Sequence, residues 1–158
     1  MPKFSNYSNV EEYAQMLGKC LTEKIREVKG SLVLVCWSSM CSLAMRVASK
    51  VLFSALVCFS CPMSAPVVQE QIIQYSKTNI PTIFIVGEKA VVDVDLSFLK
   101  EKDGNFAVIC ARNSRFDLNM DVGKLCTENV TQNLVDEQLM LYIHRFLSKA
   151  LPCRLKAE

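Results

Sequence analysis

Residues 31–48, with the sequence SLVLVCWSSMCSLAMRVA, decide the fold of this chain. The run from Leu32 to Val35 is apolar throughout and rich in β-branched residues, which is typical of a strand buried on both faces. After Cys36-Trp37-Ser38-Ser39, apolar side chains recur at helical spacing up to Ala48. The stretch therefore predicts a buried strand that turns abruptly into a helix, with Ser38 at the turn.

Outward from this stretch, strand and helix patterns alternate along the chain. An amphipathic pattern predicts a helix before the first strand. The further predicted strands are 53–59, 82–86 and 106–110, and the further helices are 67–75, 96–100 and 131–150. The polar stretch 112–129 has little periodicity. Buried strands that alternate with helices imply parallel pairing through right-handed crossovers. We predict an α/β fold, a parallel sheet of about four strands with helices on both faces.

The composition indicates one globular domain over residues 1–158. Of the 158 residues 51% are apolar and 22% are charged, and the net charge is +2. This charge gives no argument for contact with nucleic acid. No apolar run approaches the ~20 residues of a membrane span, and the first residues lack the apolar core of a secretory leader. We expect an intracellular protein that contacts neither nucleic acid nor membrane directly.

Eight cysteines are many for a chain of this length. Without a secretory leader they indicate reduced thiols in a reducing compartment. Cys58 and Cys61 form a C-x-x-C pair, but Cys58 lies inside a strand, where no helix terminus lowers a thiol pKa for redox chemistry. A zinc site would need two more ligands, which Cys36 or Cys41 could supply. Buried apolar cysteines are the default interpretation. We predict no metal site and keep Cys58 and Cys61 as candidate ligands.

Ser38 has the position of a nucleophile in a strand–turn–helix elbow, but its neighbours depart from the G-x-S-x-G pattern. Cys36 and Met40 stand where two glycines would let strand and helix approach and let the serine adopt a strained conformation. Met40 places a long side chain where close approach is needed. A serine in an ordinary strand-to-helix turn is therefore the interpretation we favour.

A serine nucleophile also needs a base that an acid orients. The single histidine, His144, lies inside the last predicted helix. Glu88 and Asp93 are the only carboxylates near the turn where the acid is expected, and no complete triad can be assembled from these residues. The five glycines form neither a G-x-G-x-x-G nor a P-loop pattern, so no nucleotide cofactor is predicted.

Four stretches of the chain resemble the second half of an α/β-hydrolase. They correspond to the elbow strand, the next strand, the strand before the acid and the closing helix: VLVCWSSMCSLAMRVASKV (33–51), SALVCFSCPMSAP (54–66), NIPTIFIVGEKA (79–90) and VTQNLVDEQLMLYIHRFLSKAL (130–151). Within that superfamily the chain is similar to the hydrolase-like domain of the third subunit of the NSL (non-specific lethal) histone acetyltransferase complex. The similarity covers residues 10–151, and the residues that carry it are Trp37, Pro81 to Phe84, Gly87, Thr131-Gln132 and Val135-Asp136.

The resemblance implies a hydrolase-like core without a working triad. Carried over position by position, Ser38 falls at the nucleophile, Ala90 near the acid and Ser114 near the base, so two of the three positions are chemically inert. The resemblance therefore implies a non-catalytic scaffold or adaptor subunit in a nuclear, chromatin-associated complex, with no small-molecule substrate. The alternative is a small esterase or thioesterase that uses Ser38 as its nucleophile.

The chain begins at the helix that precedes the elbow strand, so we expect a single truncated domain without the N-terminal strands of the superfamily. One of those strands carries the loop that supplies half of the oxyanion hole. Their absence would leave Leu32 to Val35 as an apolar edge strand, which single domains usually avoid. We expect this edge to pair with another subunit of the complex or with a second copy of the chain.

Overall fold

The computed structural model describes residues 7–91, 94–100 and 105–151, and it confirms the predicted α/β fold. The helices are α1 Tyr7–Ile25, α2 Met40–Ala48, α3 Pro66–Tyr75, α4 Ser97–Lys100, α5 Val122–Glu128 and α6 Gln132–Ala150, with a short 3-10 helix at Glu88–Ala90. The strands are β1 Val33–Trp37, β2 Ala55–Phe59, β3 Thr82–Gly87 and β4 Phe106–Ala111. None of the described helices is long and apolar enough to cross a bilayer.

The four strands form one parallel sheet in the order β1-β2-β3-β4, which is also their order along the chain. β3 is buried along its whole length because it has a strand on each side and helices on both faces. β1 lies at the edge, so the expectation that it is buried on both faces was wrong: Val35 is 60% exposed. β1 also begins one residue later than predicted and continues through Trp37.

Two apolar layers enclose the sheet, one on each face. The larger lies under α1, α2 and α3, and includes Leu34, Leu56, Phe84 and Phe106 from the strands with Ala14, Val47, Val68 and Ile72 from the helices. The smaller lies under α6, and includes Val57, Ile83 and Ile85 from the strands with Leu139 and Ile143. Because successive strand residues point to opposite faces, the continuous apolar runs of β2 and β3 fill both layers. The predicted helices on both faces are confirmed.

The start of α6 shows what its Thr-Gln-x-x-Val-Asp sequence does. The Thr131 side chain caps the helix by accepting a hydrogen bond from the Leu134 amide at 3.3 Å. Gln132 Oε1 accepts the Met120 amide at 3.0 Å, and Gln132 Nε2 donates to the Leu118 carbonyl at 3.3 Å. Thr131 therefore determines where α6 begins, and Gln132 holds the backbone of Leu118 and Met120 against the start of α6 by hydrogen bonds.

The polar stretch 112–129, in which the sequence showed little periodicity, contains α5. Asp121 caps this helix by accepting a hydrogen bond from the Gly123 amide at 2.9 Å, and Asn129 ends it in the left-handed conformation at φ 51°. None of the residues of α5 is buried. Its capping residues were visible in the sequence, but an exposed helix has no apolar stripe to detect.

Candidate functional site at the carboxyl ends of β1 and β2

Ser38 lies in a tight turn between β1 and α2. Its amide donates to the Phe59 carbonyl at 2.8 Å, and its carbonyl accepts the Cys41 amide at 3.0 Å, so the turn consists of Ser38 and Ser39 alone. Ser38 has φ 53°, a left-handed conformation that is costly for a residue with a side chain. Met40 is largely exposed, so its long side chain leaves the turn rather than obstructing it. The turn therefore has the strained serine of an elbow without the flanking glycines.

The two positions that the resemblance aligns with the acid and the base of a triad hold residues that cannot serve as acid or base for Ser38. Ala90 is buried in the 3-10 helix after β3, and the neighbouring Glu88 accepts the Asn113 amide at 2.9 Å. Ser114 is buried and donates to the Ala111 carbonyl at 2.7 Å. His144 is exposed on α6. Asp93, the other carboxylate considered above, lies outside the described residues. Over the described ranges, no side chain hydrogen-bonds to the Ser38 hydroxyl.

The segment that contains Ser114, the position aligned with the base of the triad, is packed tightly against the end of β3. A Cβ atom added to Gly87 would lie 1.9 Å from the Arg115 carbonyl oxygen and 3.0 Å from Ser114 Oγ. The segment around Ser114 is therefore packed against the end of β3, at a distance that only glycine permits. The sequence showed the glycine, but the close approach depends on a segment 27 positions further along the chain.

Ser60 repeats the Ser38 geometry on the next strand. It directly follows β2, has φ 52°, and donates its amide to the Ile85 carbonyl at 2.8 Å. Its side chain is buried, and the Oγ atom finds no hydrogen-bond partner among the described residues. No glycine marks this turn in the sequence, so the positive φ of Ser60 could not be predicted from it. The ends of β1 and β2 thus carry two adjacent turns of the same shape.

Four cysteines converge beneath these two turns. Cys36 of β1 and Cys58 of β2 are register partners, with their sulfurs 3.4 Å apart. Cys41, in the first turn of α2, completes a group in which all three sulfurs lie within 4.8 Å of one another. Cys61, just after β2, is buried in the same core cluster as Cys41 and Cys58. Cys36 is half-buried and the other three are fully buried. None of the seven cysteines in the described ranges forms a disulfide.

The thiols of this cluster are electrostatically unequal. Hydrogen bonds from Cys36, Cys58 and Cys61, in decreasing order, lower the pKa of Cys41. The pKa values of Cys36 and Cys61 are raised, chiefly by their hydrogen bonds to Cys41, and that of Cys58 is raised chiefly by burial. Cys41 is therefore the most acidic of the four thiols. Such a group can bind a soft metal ion or react as a nucleophile.

An apolar surface lies at the outer side of β1. Trp37 stacks on Phe59 with ring centroids 4.9 Å apart, yet it remains 49% exposed. Val35, on the same face of the strand, and Met40 and Leu17 beside it are also exposed. We call these four residues, Leu17, Val35, Trp37 and Met40, the β1 edge surface. Over the described ranges β1 pairs with β2 alone, so its outer backbone groups are free to bind another strand.

Replacing Ser38 by glycine should stabilise the protein by about 1 kcal/mol, because glycine adopts a positive φ without steric cost. The adjacent Ser39 has φ −59° and makes no capping hydrogen bond with its side chain, so Ser39→Gly should instead cost a few tenths of a kcal/mol. Urea unfolding of the two variants measures both effects. Equal changes in the two would show that Ser38 is not strained.

Comparison of the chain with protein-family models, with curated proteins and with solved structures finds no match to any of them.

Proposed function

We propose that this chain is a non-catalytic scaffold or adaptor subunit of an NSL-type histone acetyltransferase complex in the nucleus, and that it acts through protein contacts. The β1 edge surface carries the proposal. It combines a free strand edge with exposed apolar side chains, Val35 and Trp37 foremost. The assignment to this complex rests on the resemblance of the sequence.

Among the described residues, the β1 edge lacks the features that protect single domains from pairing. Natural sheets block their edges with lysine, proline, bulges or a covering helix. β1 has the sequence VLVCW, without a charge or a proline, and it pairs with β2 in an unbroken register. Main-chain hydrogen bonds to an added strand, with Val35 and Trp37 seated against its side chains, are the usual way for such an edge to bind a protein partner.

The positions of the would-be triad support the non-catalytic part of the proposal. The acid and base positions hold buried Ala90 and Ser114, neither of which can move a proton for Ser38. The elements that carry the resemblance also occur in the expected order: β1, then β2 and β3, and, after β4 and α5, the last helix α6.

A pull-down from nuclear extract tests the proposal. The tagged chain should recover acetyltransferase-complex subunits, identified by mass spectrometry, and Val35→Lys should reduce that recovery at least tenfold because a charge blocks an exposed edge. Val122→Lys is the matched control: Val122 is 73% exposed on α5, so the change should leave recovery intact. Recovery of none of these subunits by a well-folded protein would refute the proposal. Light scattering on the purified chain distinguishes pairing with a second copy, which doubles the measured mass, from pairing with another subunit, which leaves the purified chain monomeric.

A serine hydrolase remains the second candidate, because Ser38 has the positive φ of a strained elbow. A fluorophosphonate probe decides between the two. We expect no labelling of the wild-type chain. Labelling that disappears in Ser38→Ala would establish a nucleophile and would contradict the non-catalytic assignment.

A further inference from the structure

The four clustered cysteines occur as two short pairs in the sequence. Cys36 and Cys41 lie on either side of the Ser38 turn, and Cys58 and Cys61 on either side of Ser60. The parallel register of β1 and β2 brings the two turns side by side and places the sulfurs of Cys36, Cys41 and Cys58 within 4.8 Å of one another. We propose that Cys36, Cys41, Cys58 and Cys61 bind one zinc ion. This site is independent of the scaffold function proposed above.

The arrangement of the sulfurs fits a tetrahedral ion. Zinc binds thiolates at about 2.3 Å, which places the sulfurs of a tetrahedral site ~3.8 Å apart. The Cys36 and Cys58 sulfurs are 3.4 Å apart, so they need to separate only slightly. The Cys41 sulfur lies within 4.8 Å of both. Cys61 directly follows the Ser60 turn and is buried in the same core cluster as Cys41 and Cys58, which makes it the nearest candidate for the fourth ligand. The backbone thus already gathers the ligands.

The donor set selects the ion. Four sulfurs without a carboxylate or imidazole suit zinc and other thiophilic ions and exclude magnesium and calcium, which require oxygen ligands. Four protein ligands also leave no open position for water or substrate, so the site is structural rather than catalytic. Its role is to tie together β1, α2, β2 and the turn that follows β2.

The ion has a route to the site. Cys36 is half-buried and lines a groove at the β1 edge together with Leu34, Trp37 and Met40. The thiols must lose protons to bind zinc.

Metal analysis of the full-length chain, expressed with zinc in the medium and purified under reducing conditions, tests the proposal. We expect about one zinc ion per chain, as for a structural tetrathiolate site. Cys36→Ser should lower the zinc content severalfold, and it disturbs the packing least because Cys36 is only half-buried. Cys110→Ser is the matched control: Cys110 is exposed on β4, so zinc content should not change.

Cobalt substitution of the wild-type chain gives a readout that needs no variant to fold. Cobalt(II) should produce the intense thiolate charge-transfer bands and the tetrahedral d–d bands of four-sulfur coordination. Removing zinc with a chelator should lower the melting temperature by several degrees, because an ion bound only to the folded state stabilises it. A wild-type chain without zinc or cobalt thiolate bands, or one whose zinc content is the same in Cys36→Ser, would overturn the proposal.

Discussion

Gly87→Ala should destabilise the protein by about 4 kcal/mol or more, a large part of the ~5–15 kcal/mol by which native domains are stable. The added methyl carbon would lie 1.9 Å from the Arg115 carbonyl oxygen and 2.7 Å from its carbonyl carbon. Both are backbone atoms, so no side-chain rotation relieves the clash. β3 cannot move either, because it is paired with β2 and β4 along its length. Loss of cooperative thermal and urea unfolding measures the effect.

Gly18→Ala is the control, and it should change stability in the opposite direction. Gly18 lies inside α1, where the nearest atom to an added Cβ is Val51 Cγ2 at 3.6 Å, an ordinary contact. Alanine is favoured over glycine in a helix by up to about 1 kcal/mol. If the two substitutions had similar effects, the close packing of residues 114–115 on β3 would be wrong.

Phe84→Ala should cost about 3–5 kcal/mol, the range for deleting a buried aromatic side chain. Phe84 is fully buried in the middle of β3, with Cys58 and Val108 as its register partners on either side. The cavity left by the phenyl ring would stay open, because α2 and α3, which cover this face of the sheet, are held in place by several other buried side chains. The free energy of unfolding in urea gives the measurement.

Phe116→Ala removes the same side chain from an exposed position and is the comparison for Phe84→Ala. Phe116 is 55% exposed, so its loss should cost less than about 1 kcal/mol. A difference between the two variants below 1 kcal/mol would place Phe84 outside the core and would call for a different sheet order.

The sequence predicts most of the sheet because its central strands are apolar on both faces. The runs at Ala55–Phe59 and Thr82–Gly87 have no polar alternation, and both proved to be internal strands. β1 has the same apolar pattern and yet lies at an edge. An apolar pattern shows that burial of the strand would be favourable. Whether the strand is buried depends on which other elements cover it. The exposed helix α5 shows the opposite case: it buries no residue, so its sequence has no apolar periodicity by which a helix could be predicted.

The candidate site was predicted in part. The change from strand to helical spacing located the Ser38 turn. Of the four cysteines named from the sequence, the structure brings Cys36, Cys41 and Cys58 within 4.8 Å of one another. Their convergence could not be predicted, because it needs the register that pairs Cys36 with Cys58. The close contact between Gly87 and residues 114–115 could not be predicted either, because it depends on the path that these residues take past the end of β3.

The sequential order of the strands has a kinetic consequence. Every strand pairs only with neighbours in the sequence; Cys36 and Cys58, for example, are 22 positions apart. Each pairing therefore closes a short loop, and the entropy of loop closure grows only slowly over such lengths. The sheet can grow one strand–helix unit at a time, without a long-range closure that must precede the rest. Growth from β4 toward β1 ends at an edge that pairs with no further strand in the part of the chain that the structure describes.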